Sequence, residues 1–250
     1  MKTFFLAWEF LTILPGIKSE SKVSSTQLGH SMAFFPAVGF LLGLILWAVY
    51  LPFSFAFPRF LADGLILLLL VILTGAFHLD GLADTLDGLA FGKSPEDRLR
   101  IMKDHRVGTF GVVGLIMILG VKYAALHALS ARTAPLALWT ALILSRGAMV
   151  QLLYYAPYAR AEGGLGRPFK EGLGKREVVV AWITSLALSF IFFRFRGVIL
   201  WLVAVIFTLW LQKFFAAKIG GVTGDVLGAD NEANEVLTLI VISGMEHLAK

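Results

Sequence analysis

The stretch Phe77-His78-Leu79-Asp80-Gly81-Leu82-Ala83-Asp84-Thr85-Leu86-Asp87-Gly88 carries three carboxylates at i, i+4 and i+7. On a helix turning about 100° per residue, Asp80, Asp84 and Asp87 fall within roughly 60° of one another. Carboxylates this close repel and need a counter-charge. A hard divalent cation supplies one, and oxygen-only ligands favour Mg²⁺, with Mn²⁺ as the alternative. The three aspartates are therefore candidate metal ligands. The competing reading is a helix emerging into water whose aspartates are neutralised by Arg or Lys. Ionisable groups at membrane helix ends are costly and tend to be functional, which favours the first. His78 has two readings, a hydrogen-bonded helix histidine or a functional one, catalytic, metal-binding or substrate-binding. Gly81 and Gly88 lack side chains and would let a bulky substrate approach the backbone.

Downstream lies Lys103-Asp104-His105-Arg106-Val107-Gly108-Thr109-Phe110-Gly111. Lys103 and Arg106 are candidate phosphate-binding cations, Arg adding a planar fork. Asp104 is a candidate catalytic group that either completes the metal site or orients Arg106. Gly108 and Gly111 would admit a diphosphate at a helix start, where free N–H groups favour anions. A basic membrane anchor before a glycine-rich helix is the plainer reading.

A second acidic group follows Gly220-Gly221-Val222-Thr223-Gly224-Asp225-Val226-Leu227-Gly228. Glycines at four-residue spacing permit close helix packing, which accounts for them but not for Asp225, Glu232 and Glu235. On a helix Asp225 and Glu232 share a face and Glu235 lies about 60° further round. Asp225 and Glu235 are the candidates for a catalytic base or a second metal ligand. Arg146, alone inside an apolar span, would pair with an acidic face, bind phosphate or snorkel. Arg160 and Arg167 sit in a flexible basic loop suited to closing over a substrate, or to acting as a solvated connector. Trp47, Trp139, Trp182, Trp201 and Trp210 read as lipid- or interface-facing aromatics, and Gly39 and Gly43 as helix-packing positions.

The elements that position these residues are membrane helices. Of 250 residues, 58% are apolar and 16% charged, against roughly 25% charged in a soluble domain. Mean hydropathy is +0.79. The chain has no cysteine, which excludes disulfides, zinc–thiolate sites and thiol nucleophiles. Its net charge of +5 reads as loops following the positive-inside bias, not as nucleic-acid binding. Spans of about 20 apolar residues are expected at 31–57, 64–77, 107–131 and 133–155, with a hairpin from 178–193 and 197–212. Residues 236–245 are too short to span unaided and are expected to continue from the polar stretch before them. Residues 4–14 are expected as a short interfacial helix ended by Pro15-Gly16. Glu9 and the lack of a small-residue cleavage site argue against a signal peptide. The fold expected is all-α, a single polytopic transmembrane bundle over residues 1–250 with roughly six to eight membrane-embedded helices.

Gly92–Arg106 and Pro157–Glu177 each hold five basic against three acidic residues. Two spans separate them, and two more separate the second from Lys213–Glu235, so all three polar regions share one face. The positive-inside rule makes that face cytoplasmic; Arg132, Arg194 and Arg196 fall on the other side.

FHLDGLADTLDGL, IMKDHRVGTFG, LSR, PYAR and GGVTGDVLGA, in this order, resemble the cobalamin synthase (adenosylcobinamide-GDP ribazoletransferase) family. The motifs cover about residues 77–235. The resemblance implies a magnesium-dependent transferase of the bacterial or archaeal cytoplasmic membrane, with its site facing the cytoplasm. It would join adenosylcobinamide-GDP to α-ribazole, or its 5′-phosphate, and release GMP. The implied partners are the corrinoid nucleotide, the ribazole and the bilayer, with a homo-oligomer left open. CDP-alcohol phosphotransferases and prenyltransferases also act on diphosphates from membrane helices. The chain lacks the Ala-Arg after an Asp-Gly pair of the former and the Asn-Asp-x-x-Asp of the latter. A cation-coupled transporter is the reading from another class, and no inverted repeat supports it.

Overall fold

A computed structural model describes residues 2–16, 23–104, 106–160 and 163–249; His105 in the basic motif and Glu162 in the basic loop lie outside the described residues. Among them the regular structure is helical: α1 (Lys2–Leu11), α2 (Ser25–Ser31), a 3₁₀ turn (Met32–Phe34), α3 (Phe35–Ala56), α4 (Arg59–Leu73), α5 (Phe77–Phe91), α6 (Pro95–Ile101), α7 (Thr109–Ala128), α8 (Thr133–Tyr155), α9 (Arg167–Gly172), α10 (Lys175–Phe193), α11 (Phe195–Ile219) and α12 (Gly224–His247). Five stretches are long and apolar enough to cross a membrane, and the bent pair α4–α5 would make a sixth. The chain is an all-α, polytopic helical membrane protein.

The bundle is organised around α8, which is buried along nearly its whole length. Its small residues let neighbours approach closely. Gly39 of α3 rests on the Leu142 backbone and Gly43 on the Trp139 ring, as expected of packing glycines. Trp139 is not a lipid-facing aromatic: it is buried and its indole N–H donates to the Phe40 carbonyl at 2.7 Å. Trp182 and Trp201 likewise donate to Gln151 and Ser185, whereas Trp47 and Trp210 remain exposed. An indole N–H facing hydrocarbon would go unsatisfied, so polar groups inside the bundle draw these rings inward.

One element differs from the sequence expectation. The 64–77 span is α4, whose fifteen residues rise only about 22 Å, short of a hydrocarbon core of about 30 Å. It breaks at Thr74–Ala76, where Gly75 (φ +60°) and Ala76 (φ +56°) are left-handed, and α5 leaves at 86°. The continuation of 236–245 from the polar stretch before it is found as expected: α12 is continuous over twenty-four residues through both. It packs against α5, α7, α8 and α11. Its acidic side chains are tolerated because they face protein, not lipid.

The three polar regions do share one face. Ala159 N–H donates to the Val222 carbonyl and Val222 N–H to the Pro157 carbonyl, both at 2.9 Å, joining the basic loop to the start of α12. Arg98 donates to the Lys218 carbonyl at 2.8 Å and Arg160 to the Met102 carbonyl at 3.4 Å, tying in the α6 region.

Candidate active site

The site forms where α5 crosses the first turn of α12. Gly81 makes the crossing: a Cβ there would lie 2.7 Å from the Asp225 carbonyl oxygen. Gly228 answers from α12, where a Cβ would lie 2.9 Å from the His78 carbonyl oxygen. The glycine of the Asp80-Gly81 pair thus admits a second helix, not a substrate. Gly88 does the same for α6, against Met102 and the Arg98 backbone. Of the glycines at 220, 224 and 228, only Gly228 packs against another helix; Gly220 (φ +78°) ends α11 in the left-handed region.

This crossing brings Asp225 to the acidic face of α5. Asp84 has Asp80, Asp225 and Asp87 as repelling neighbours and Arg160 as the attracting one. Asp80 is exposed and Asp84 half-buried, so the two line an open rim. Arg160 Nη2 bonds Asp225 Oδ2 at 2.7 Å, and the Thr223 hydroxyl bonds the same oxygen at 3.2 Å. Thr223 also caps α12, accepting from Val226 N–H. Burial pushes the Asp225 carboxyl above its ordinary range, and Arg160 and Thr223 pull it back. Lys103 and Arg106 are exposed on the loop following α6, whose Met102 carbonyl accepts from Arg160. Asp104 is also exposed and accepts from Arg106 N–H at 3.2 Å. It shapes the basic loop and makes no contact with the aspartates of α5.

Asp87 departs from its expected role. It is buried, with Oδ2 accepting from Gly108 N–H at 2.6 Å and Oδ1 from Gly111 N–H at 2.9 Å. The anion at the start of α7 is therefore this carboxylate, not a substrate diphosphate. The pull of free N–H groups and helix dipole explains the choice. Among the described residues no three His, Asp or Glu side chains form a metal cage. Magnesium that binds through one or two carboxylates and completes its shell with water and phosphate needs no cage. Asp80 and Asp84, hard oxygen donors beside a basic loop, fit that mode.

Glu235, His78 and Arg146 lie elsewhere. Lys122 of α7 bonds Glu232 at 2.5 Å and Glu235 at 2.6 Å, and Arg146 of α8 pairs with Glu235 and Ser145. Asn231 donates to Glu235 as well. All four charged side chains are buried. Glu235 is thus a locked partner of two cations, not a base at the rim. Glu235 lies about 80° round α12 from Asp225, and ten residues of helix place it about 15 Å along the axis from it. Arg146 takes the first of its three readings, pairing with an acidic group. His78 stands about 200° round the helix from Asp80, so it points inward. It is 1% exposed, and its charged neighbours are Arg146, Glu235 and Lys122. Arg167 bonds Glu171 at 3.0 Å on α9.

Sequence reasoning missed Lys122, although a lone lysine in an apolar span is itself a signal of a buried partner. It also missed Asp63, fully buried at the opposite end of the bundle. Asp63 accepts from Tyr50 (3.2 Å), meets His127 (2.8 Å) and pairs with Arg59 (3.5 Å), tying α3, α4 and α7 together.

Residues 3–243 match the Cobalamin-5-phosphate synthase family. Among curated proteins, the adenosylcobinamide-GDP ribazoletransferase of Geotalea daltonii is 39% identical, covering 98% of this chain and 99% of that protein. Those of Clostridium novyi and Vibrio cholerae are each 35% identical, covering 97% and 99% of this chain and 96% and 95% of theirs. No solved structure matches the chain. The order of its motifs, its helical membrane architecture and these matches over nearly its full length agree: the chain belongs to the cobalamin-5-phosphate synthase family.

Proposed function

We propose that this protein joins adenosylcobinamide-GDP to α-ribazole, or to its 5′-phosphate, and releases GMP. The ribazole 3′-hydroxyl attacks the phosphorus bound to the cobinamide. The bond from that phosphorus to the GMP oxygen breaks, and the hydroxyl proton passes to a carboxylate. The observation that carries this reading is the convergence of Asp80, Asp84 and Asp225 beside Arg160, at a face rimmed by Lys103 and Arg106. Phosphoryl transfer depends mainly on such positioning and charge stabilisation.

Asp80 and Asp84 would hold Mg²⁺ through their carboxylate oxygens. A bound ion would supply charge neutralisation for the diphosphate and the leaving nucleotide. Asp225 is the carboxylate that takes the proton, since burial raises its basicity while Arg160 holds it in place. Lys103 and Arg106, with no carboxylate partner among the described ion pairs, are free to meet the diphosphate. The positive-inside bias of the joined polar regions supports a site on the cytoplasmic side of the cytoplasmic membrane. The test is purified protein in lipid, supplied with adenosylcobinamide-GDP, α-ribazole and Mg²⁺. GMP release that requires all three is expected, and none above a blank would reject the reading.

A further inference from the structure

Deeper in the bundle than the rim stands a polar cluster that the chemistry above does not use. Lys122 of α7, Arg146 of α8 and Glu232 and Glu235 of α12 pair there, all buried. His78 of α5 faces the same cluster, with Arg146, Glu235 and Lys122 as its charged neighbours. Helices α5, α7, α8 and α12 thus meet around one buried imidazole.

The first observation is a set of groups in need of partners. Nδ1 and Nε2 of His78 are both buried, and neither has a partner among the described residues; Nε and Nη2 of Arg146 share that condition. A buried polar group without a hydrogen bond costs about 1–3 kcal/mol. The cluster also holds a cavity, lined by Lys122, Arg146, Glu232 and Glu235 and by Leu79, the residue after His78. Its volume of about 10 Å³ is room for roughly one water. A water bridges polar groups too far apart to bond directly.

The second observation is backbone contact. The His78 carbonyl meets α12 at Gly228, where a Cβ would lie 2.9 Å from its oxygen. His78 therefore sits in the crossing that brings Asp225 to α5. The third is angle. Asp80 and Asp84 lie about 160° and 120° round α5 from His78. An imidazole held inward turns those two carboxylates outward, and a rotation of α5 that freed the ring would carry them away from Asp225.

Resting on the function proposed above, we infer that His78 is a positioning residue for the metal face. Joined to Arg146 through a buried water, its imidazole fixes the rotation of α5 that presents Asp80 and Asp84. It acts through the helix and touches no substrate.

The test uses the full-length protein in lipid. His78→Leu keeps apolar bulk and removes both nitrogens, while His78→Gln returns a polar group at similar reach. His78→Leu should lower kcat at least tenfold and raise the Mg²⁺ concentration for half-maximal activity at least threefold, with the KM for α-ribazole within twofold. His78→Gln should return kcat and the Mg²⁺ requirement to within threefold of wild type. A packing role alone would lower the melting temperature without moving the Mg²⁺ requirement. A folded His78→Leu with wild-type kcat and Mg²⁺ requirement overturns the inference, and so does a His78→Gln no better than His78→Leu. If His78→Leu does not fold, His78→Phe, a ring without nitrogens, takes its place. If wild-type protein releases no GMP, the transferase reading fails, and Mn²⁺ binding followed by electron paramagnetic resonance decides the positioning role. Affinity lowered in His78→Leu and restored in His78→Gln supports it; equal affinity in all three proteins rejects it.

Discussion

Gly81 and Asp225 touch backbone to backbone, and this contact joins the two acidic motifs of the chain. Adding one methyl at Gly81 would place it 2.7 Å from the Asp225 carbonyl oxygen. Alanine gains about 1 kcal/mol of helix propensity over glycine, but overpacking against backbone costs about 1–3 kcal/mol. Gly81→Ala should therefore unfold at a lower temperature in detergent. It should lose more turnover than stability, because Asp225 moves away from Asp84. Turnover at the wild-type level would show that the crossing is not required.

Asp84 and Asp87 should part company on substitution. Asp84→Asn is expected to abolish magnesium-dependent GMP release while leaving membrane insertion and thermal unfolding unchanged. Asp87→Asn removes a charged acceptor from two buried N–H groups, a loss of about 1.5–3 kcal/mol. Its melting temperature should drop, yet the Mg²⁺ concentration for half-maximal activity should stay where it is. A raised Mg²⁺ requirement in Asp87→Asn with an unchanged melting temperature would return Asp87 to the metal set.

Arg160 bonds Asp225 and the Met102 carbonyl through a single nitrogen. Arg160→Ala should lower kcat by about 10²–10³, the range for losing one preorganised electrostatic donor. Arg160→Lys should restore part of it, since both bonds come from one nitrogen and an ammonium offers three donors on a shorter reach. Steady-state kinetics on both variants would check this, and full activity in the lysine variant would count against the geometry.

Lys122 neutralises Glu232 and Glu235 inside the bundle. Lys122→Met leaves two carboxylates buried without it, a change worth about 3–5 kcal/mol. Adding Glu232→Gln should recover part of the loss, so that the two effects are not additive. Thermal unfolding of the single and double variants measures the coupling. Strict additivity would mean that the pair does not interact.

The sequence determined the solvent, the helices and the chemistry of the rim. Too few polar residues to face water dictated a membrane bundle. The i, i+4, i+7 spacing set Asp80 and Asp84 on one helix face, and the charge balance of the loops put the basic regions together. Helix crossings select which acidic groups reach that rim. Periodicity gives an angle around a helix but not what stands opposite. Glu235 and Asp225 lie on nearby faces of α12, yet one meets Lys122 and Arg146 and the other meets α5. Asp87 shares a face with Asp84, yet the free N–H groups at the start of α7 claim it. A buried charge takes whichever partner packing brings nearest, and that choice depends on helix crossings that no local spacing encodes.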